Sequence, residues 1–160
     1  MDPALLIRNA EPRDHETIIA VMKDWWGGRD LTPMLPRLFL NHFCDTSFIA
    51  EDASTFIGFL VGFLSQCRND EAYIHFVGVH PTYRNRRIAA ALYRRFFESC
   101  FTHGRSVVRA CTSPVNKGSI EFHKRMGFTV EAGNGEIDGI SVTLDYNRPG
   151  DHKVLFKKVL

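Results

Sequence analysis

Apolar residues recur along this chain with two different periods. Leu5 to Asn9, Phe48 to Ala50, Thr55 to Gln66, Ala72 to Val79, Ser106 to Cys111, Ile140 to Leu144 and Val154 to Val159 are runs of strand length, and Phe128 to Glu131 begins another. Elsewhere the spacing lengthens to that of a helix. Ile18, Ile19, Met22 and Trp25 form a stripe behind the starter Glu11-Pro12-Arg13-Asp14, and Gly27-Gly28 stops it. Thr32-Pro33 opens a second helix, with Leu35, Leu38, Phe39 and Phe43 on one face and Pro36 near its first turn. Ile88, Leu92, Phe96 and Cys100 mark a third, over Ile88 to His103 and capped by Gly104. Ser119 to Met126 is the fourth, stopped by Gly127.

The interleaving of these strands and helices implies a mixed α/β sheet with helices on its faces. The strands around 48–50, 55–66 and 72–79 read as an antiparallel meander. The strand at 106–111 should lie parallel to the one at 72–79, because a helix separates them. Gly58 and Gly62 suggest bulges or close backbone contacts. Gly133 to Gly139 is glycine-rich and acidic, and Asp145 to Gly150 is a turn-rich loop.

Length and composition narrow the class. The 160 residues suit one domain over 1–160, 44% hydrophobic and 24% charged, as in an ordinary globule. A net charge of +2 gives no bulk polyanion signal, so nucleic acid is not expected as a partner. Arg94-Arg95 reads as a solvated helix face. No apolar run approaches the roughly 20 residues of a membrane span. The segment MDPALLIRNAEP carries acid early and lacks the apolar core of a signal peptide. Cys44, Cys67, Cys100 and Cys111 show no paired spacing, which argues against a zinc site or disulfide framework; buried thiols in a reducing cytoplasm are the expectation, with no metal.

Chemistry concentrates in His75 to Leu92, HFVGVHPTYRNRRIAAAL. A strand stops, Pro81 turns the chain, Arg84-Asn85-Arg86-Arg87 forms a basic loop, and a small-residue helix begins at Ile88-Ala89. Free amides and the helix dipole make such a junction a site for phosphate or diphosphate. Its pattern, Arg84 then two residues, Arg87, Ile88, Ala89, preceded by Val79-His80-Pro81, resembles the acetyl-CoA segment of the GNAT superfamily of acyl-CoA N-acyltransferases. Arg87 stands where that family usually has glycine. A second segment, NKGSIEFHKRMGF, is similar to the family at Asn116, Ser119, Phe122, Lys124 and Gly127-Phe128, with His123 where tyrosine is usual. The resemblance covers nearly the whole chain.

The resemblance implies a mainly antiparallel sheet of about seven strands with about four helices, splayed between the strands at 72–79 and 106–111. It implies that acetyl-CoA, as acyl donor, lies in the splay. Val77, Gly78 and Val79 would face the pantetheine, Arg84, Asn85, Arg86, Arg87, Ile88 and Ala89 the diphosphate, and Asn116 and Ser119 would add contacts. The implied reaction is acetyl transfer to a primary amine by direct attack in a ternary complex. An alkylammonium, with pKa about 10, must first lose a proton. His75, on the coenzyme strand, is the candidate base, against the plainer reading of a packed strand histidine; His80 is a weaker one. Backbone amides near Val79 could bind the oxyanion. His123 is the candidate acid or donor toward the leaving thiolate, against a helix-surface histidine.

The acceptor would meet Trp26, Arg29 and Tyr146, with Asp138 and Asp145 as further acidic groups; Trp25 belongs to the core stripe. Homodimerisation is compatible with this reading. The competing functions are an acyl-CoA-binding module without transferase activity and nucleic-acid binding through the arginine cluster.

Overall fold

A computed structural model describes residues 4–160; Met1–Pro3, the start of the segment read as unlike a signal peptide, lie outside the described residues. Seven strands form one sheet in the order β1-β2-β3-β4-β5-β9-β6: β1 Leu5–Asn9, β2 Phe48–Asp52, β3 Thr55–Leu64, β4 Glu71–Val79, β5 Val107–Thr112, β6 Thr129–Val130 and β9 Val154–Val159. Only β4 and β5 run parallel. The closing strand β9 inserts between β5 and β6, a neighbour relation that strand spacing alone does not encode. β7 (Gly135–Ile137) and β8 (Ile140–Val142) form a separate hairpin. Its two-residue turn, Asp138-Gly139, has φ of 52° and 78°, so the glycine-rich 133–139 stretch is part strand.

The four helices are α1 Asp14–Trp25, α2 Leu38–His42, α3 Ile88–Thr102 and α4 Lys117–Arg125. The second is shorter than its apolar stripe predicts. Thr32–Met34 makes one 3₁₀ turn, Leu35 leaves it at φ −127°, ψ 72°, and α2 starts only after Pro36 and Arg37. The proline ring disfavours helical geometry in the residue before it, so Pro36 ends one turn and precedes another instead of sitting inside a single helix. Among the described residues, no helix is long and apolar enough to cross a membrane.

Two cores lie on opposite faces of the sheet. On one face α3 packs Ile88, Leu92 and Phe96 against Ile57, Leu60 and Ile74, joined by Val108, Ile120 and Phe156. On the other, Ile18, Met22 and Trp25 of α1 meet Ile49, Phe59, Val61 and Phe76. Gly62 is glycine because the Phe96 ring occupies the space a Cβ would need. Burial of this kind is worth about 25 cal/mol per Å² of apolar surface.

Candidate active site

The sheet opens where its one parallel pair ends. Glu71, Ala72 and Tyr73 pair with Val107, Val108 and Arg109, and no further rung joins β4 to β5. Two local features produce the opening. β4 carries a bulge: Val61 opposes Phe76 and Gly62 opposes Ile74, so His75 is the extra residue. A bulge bends its strand and raises its twist, turning the 76–79 end aside. β5 meanwhile stays with β9 through all six of its positions. The bulge also resets the alternation: Ala72 and Ile74 face the α3 side, Phe76 faces the α1 side, and Val77 and Val79 return to the α3 side.

At the wide end β4 passes into the basic loop. The His80 N–H donates to the Ile57 carbonyl at 2.8 Å, and His80 Nδ1 accepts from the Thr82 N–H at 3.1 Å, starting a 3₁₀ turn over Pro81–Tyr83. Asn85 and Arg87 then adopt left-handed conformations, with φ of 67° and 61°. The first intrahelical bond of α3 runs from the Ala91 N–H to the Arg87 carbonyl, so the amides of Ile88, Ala89 and Ala90 come before the ladder and stand at the positive end of the dipole. Arg87 holds a left-handed geometry that suits glycine, at the cost that an L side chain pays there. Arg84 does something the sequence did not suggest. Its guanidinium donates to the Trp25 carbonyl and, at 3.3 Å, to the Val79 carbonyl, tying the C-terminus of α1 to the end of β4. A cation there also complements the α1 dipole.

His75 points toward the α2 face. Its ring stacks on Phe39, centroids 4.2 Å apart and 5° from parallel, and Nε2 donates to the Met34 carbonyl at 2.6 Å. A carbonyl only accepts, so Nε2 carries the hydrogen and Nδ1 the lone pair. Nδ1 has no hydrogen-bond partner among the described residues and is not sealed from water. Burial lowers the His75 pKa, which the Met34 bond only partly offsets, so the ring is neutral at pH 7.

His123 is placed differently from the expectation of a group facing the leaving thiolate or the surface. Only 4% exposed, it lies under α4 in the core, stacked on Phe156 at 4.3 Å and flanked edge-on by Tyr93 and Phe128. Nδ1 donates to the Ser119 carbonyl at 2.8 Å, so Nε2 accepts from the Tyr93 hydroxyl at 2.9 Å. Both nitrogens are used, and burial holds the ring neutral. The reason is length and company: imidazole is shorter than a tyrosine side chain, and both of its nitrogens find partners beside it, the Tyr93 hydroxyl of α3 and the Ser119 carbonyl.

Asn116 caps α4, its Oδ1 accepting from the Ser119 N–H at 3.1 Å, so its carbonyl is spent on the helix while its NH₂ group remains. Trp26 is half-buried and lies over Gly78, where an added Cβ would come within 2.5 Å of the indole. Arg29 is exposed just beyond it, and Tyr146 is exposed on the 145–150 loop. The α1-facing side of the opening also holds residues that the sequence reading left out. Burial, with Cys111 and Tyr146 nearby, pushes the Tyr73 pKa up, so its hydroxyl stays protonated. Arg109 sits between Glu71, at 2.9 Å, and Glu131. The period-2 alternation of Tyr73 and His75 in β4 was the available signal.

The acetyltransferase (GNAT) family profile matches residues 6–128. The chain belongs to that family. Among curated relatives it is similar to an uncharacterised N-acetyltransferase, MJ1207 of Methanocaldococcus jannaschii, 35% identical over 88 residues, covering 52% of this chain and 39% of the relative. The chain therefore aligns with well under half of that relative's length. Among solved structures, Ard1 from Thermoplasma volcanium shares the fold with a TM-score of 0.77 at 20% identity, covering 98% of both chains. The diaminobutyrate acetyltransferase EctA from Paenibacillus lautus, solved with L-2,4-diaminobutyric acid and coenzyme A, superposes with a TM-score of 0.68 at 23% identity, over 97% of this chain and 94% of that one. The GNAT fold expected from the two motifs, with its splayed strand pair, is the fold observed.

Proposed function

We propose that this GNAT protein transfers an acetyl group from acetyl-CoA to a primary amine, by direct attack in a ternary complex. The observation that carries the reading is the open edge of β4 beyond Tyr73, ending in a helix N-terminus whose first amides lie outside the ladder. An extended amide-bearing arm can add to such an edge as a strand would, and a diphosphate suits the helix end. Val77, Gly78 and Val79 take the arm; the backbone from Arg86 to Ala89, with Asn85, takes the diphosphate; the Asn116 amide and Ser119 lie along the other wall.

The acceptor enters from the α1 face, past Trp26, Arg29 and Tyr146. His75 removes the ammonium proton at Nδ1, directly or through one water. The amine nitrogen then bonds to the acyl carbon and sheds its second proton to solvent as the carbon–sulfur bond breaks. With His123 enclosed, the thiolate leaves unaided by that ring; a thiol of pKa about 8.5 is a tolerable leaving group, and solvent returns its proton. The relative solved with L-2,4-diaminobutyric acid makes small diamino acids the first acceptors to test. The enclosed His123 also favours a second reading, an acyl-CoA-binding module without turnover.

The test is a thermal-shift titration with acetyl-CoA, followed by thiol release against a panel of amines headed by diaminobutyrate. Ligand at 100 times its Kd should add about 2.7 kcal/mol of stability. A shift with amine-dependent thiol release is the expected result. A shift without release from any amine supports the binding module, and no shift removes both readings.

A further inference from the structure

One hollow in the molecule lies on the other side of α3 from the β4–β5 opening. The helix has three flanks. Ile88, Leu92 and Phe96 look down on Gly58 and Gly62 of the sheet. Tyr93 and Phe97 meet α4 and its end through Phe122, His123 and Phe128. Ala91, Arg94 and Arg95 occupy the third flank, where Arg95 covers Phe48 of β2 at 4.7 Å. Between this third flank and the β1–β2 edge is a hollow of about 490 Å³.

Its chemistry is one-sided. Arg86, Arg87 and Arg94 line it, against a single carboxylate, Asp52. None of the three guanidiniums forms an ion pair among the described residues; Arg86 rests on the Tyr83 ring at 5.0 Å. Arg94 shares this flank with Ala91, three residues earlier on α3, and Arg87, the residue just before the helix, also lines the hollow. Beneath them the wall is apolar: Leu5, Ile57 and Ala91. Three arginines around an apolar floor, with two-thirds of their charge uncompensated, match a phosphate group on a compact apolar body. The space holds one small molecule, not a polymer.

We propose that this hollow is a second anion site, separate from the coenzyme groove, that binds a phosphate-bearing small molecule. Arg86 and Arg87 then serve two anions: their backbone faces the groove, while their side chains face the hollow. Arg94, nearly two turns into α3, belongs to the hollow alone.

The experiment titrates inorganic pyrophosphate into protein already saturated with coenzyme A, so that the groove is filled. Saturable one-site binding is expected by calorimetry. Arg94→Glu should weaken it roughly tenfold or more while leaving coenzyme A affinity unchanged; the exposed Arg125→Glu on α4 should weaken it far less. Three results overturn the proposal. One is no binding to the saturated protein up to millimolar pyrophosphate. Another is an equal loss in both variants, which would mean bulk charge alone. The third is Arg94→Glu weakening coenzyme A but not dephospho-coenzyme A, which would assign the hollow to the coenzyme's own 3′-phosphate.

Discussion

His75 and His123 are the same side chain in two settings, and the settings decide what each can do. Both are held neutral by burial and each donates one N–H to a backbone carbonyl, of Met34 and Ser119 respectively. The difference is the second nitrogen. At His75 it has no partner among the described residues; at His123 it accepts from Tyr93 inside an aromatic box. A ring with a spare lone pair at an opening can take a proton from a substrate. A ring with both nitrogens engaged holds α3 to α4. Burial alone therefore does not mark a catalytic histidine; the count of unused donors and acceptors does.

The comparison breaks most sharply on rate. His75→Ala should lower kcat/KM by roughly 10²- to 10⁴-fold, the usual contribution of general base catalysis. Because burial depresses the His75 pKa, the acid limb of the wild-type pH–rate profile should fall below pH 6.5. An unchanged rate and limb would take His75 out of the chemistry.

His123→Ala should act on stability instead. It removes a stacked ring and strands the Tyr93 hydroxyl, at about 2–4 kcal/mol in urea unfolding. Folded His123→Phe enzyme should keep kcat within a small factor; a loss comparable with that of His75→Ala would make the two histidines equivalent and end the contrast. Gly78→Ala tests the opposite wall. Its Cβ would meet Trp26 at 2.5 Å and Phe59 at 2.6 Å, so about 1–3 kcal/mol of overpacking and a shifted tryptophan emission are expected.

The two histidines also share a pH signature. Their folded pKa values lie below the ordinary 6.5, so the unfolded chain takes up protons first. That stability is fully present above pH 6.5 and is lost as pH falls from there through the folded values. Replacing both rings should flatten this part of the stability curve, above the window in which carboxylates titrate. The smallest effect is expected from Arg87→Gly, which relieves a left-handed residue by about 1 kcal/mol and should preserve or tighten acetyl-CoA binding. A large loss of affinity would show that the guanidinium itself contacts the coenzyme.

Much of this was legible in the order of residues. The meander, the crossover from β4 through α3 to β5, and the start of α3 behind a basic loop follow from hydrophobic period and local stop signals, which act over a few residues. Two motifs with their spacing were enough for the family. What the sequence could not settle depends on what packs against what. Nothing near His75 in the chain announces Met34 and Phe39, and nothing near His123 announces Tyr93 and Phe156. Nothing near Arg84 in the chain announces that its guanidinium donates to the Trp25 carbonyl, and β9 lies beside β5 only through partners far away in sequence. Local period chooses the elements. Whether a polar atom is spent inside the protein or left for a ligand is decided by neighbours that only the folded chain brings together.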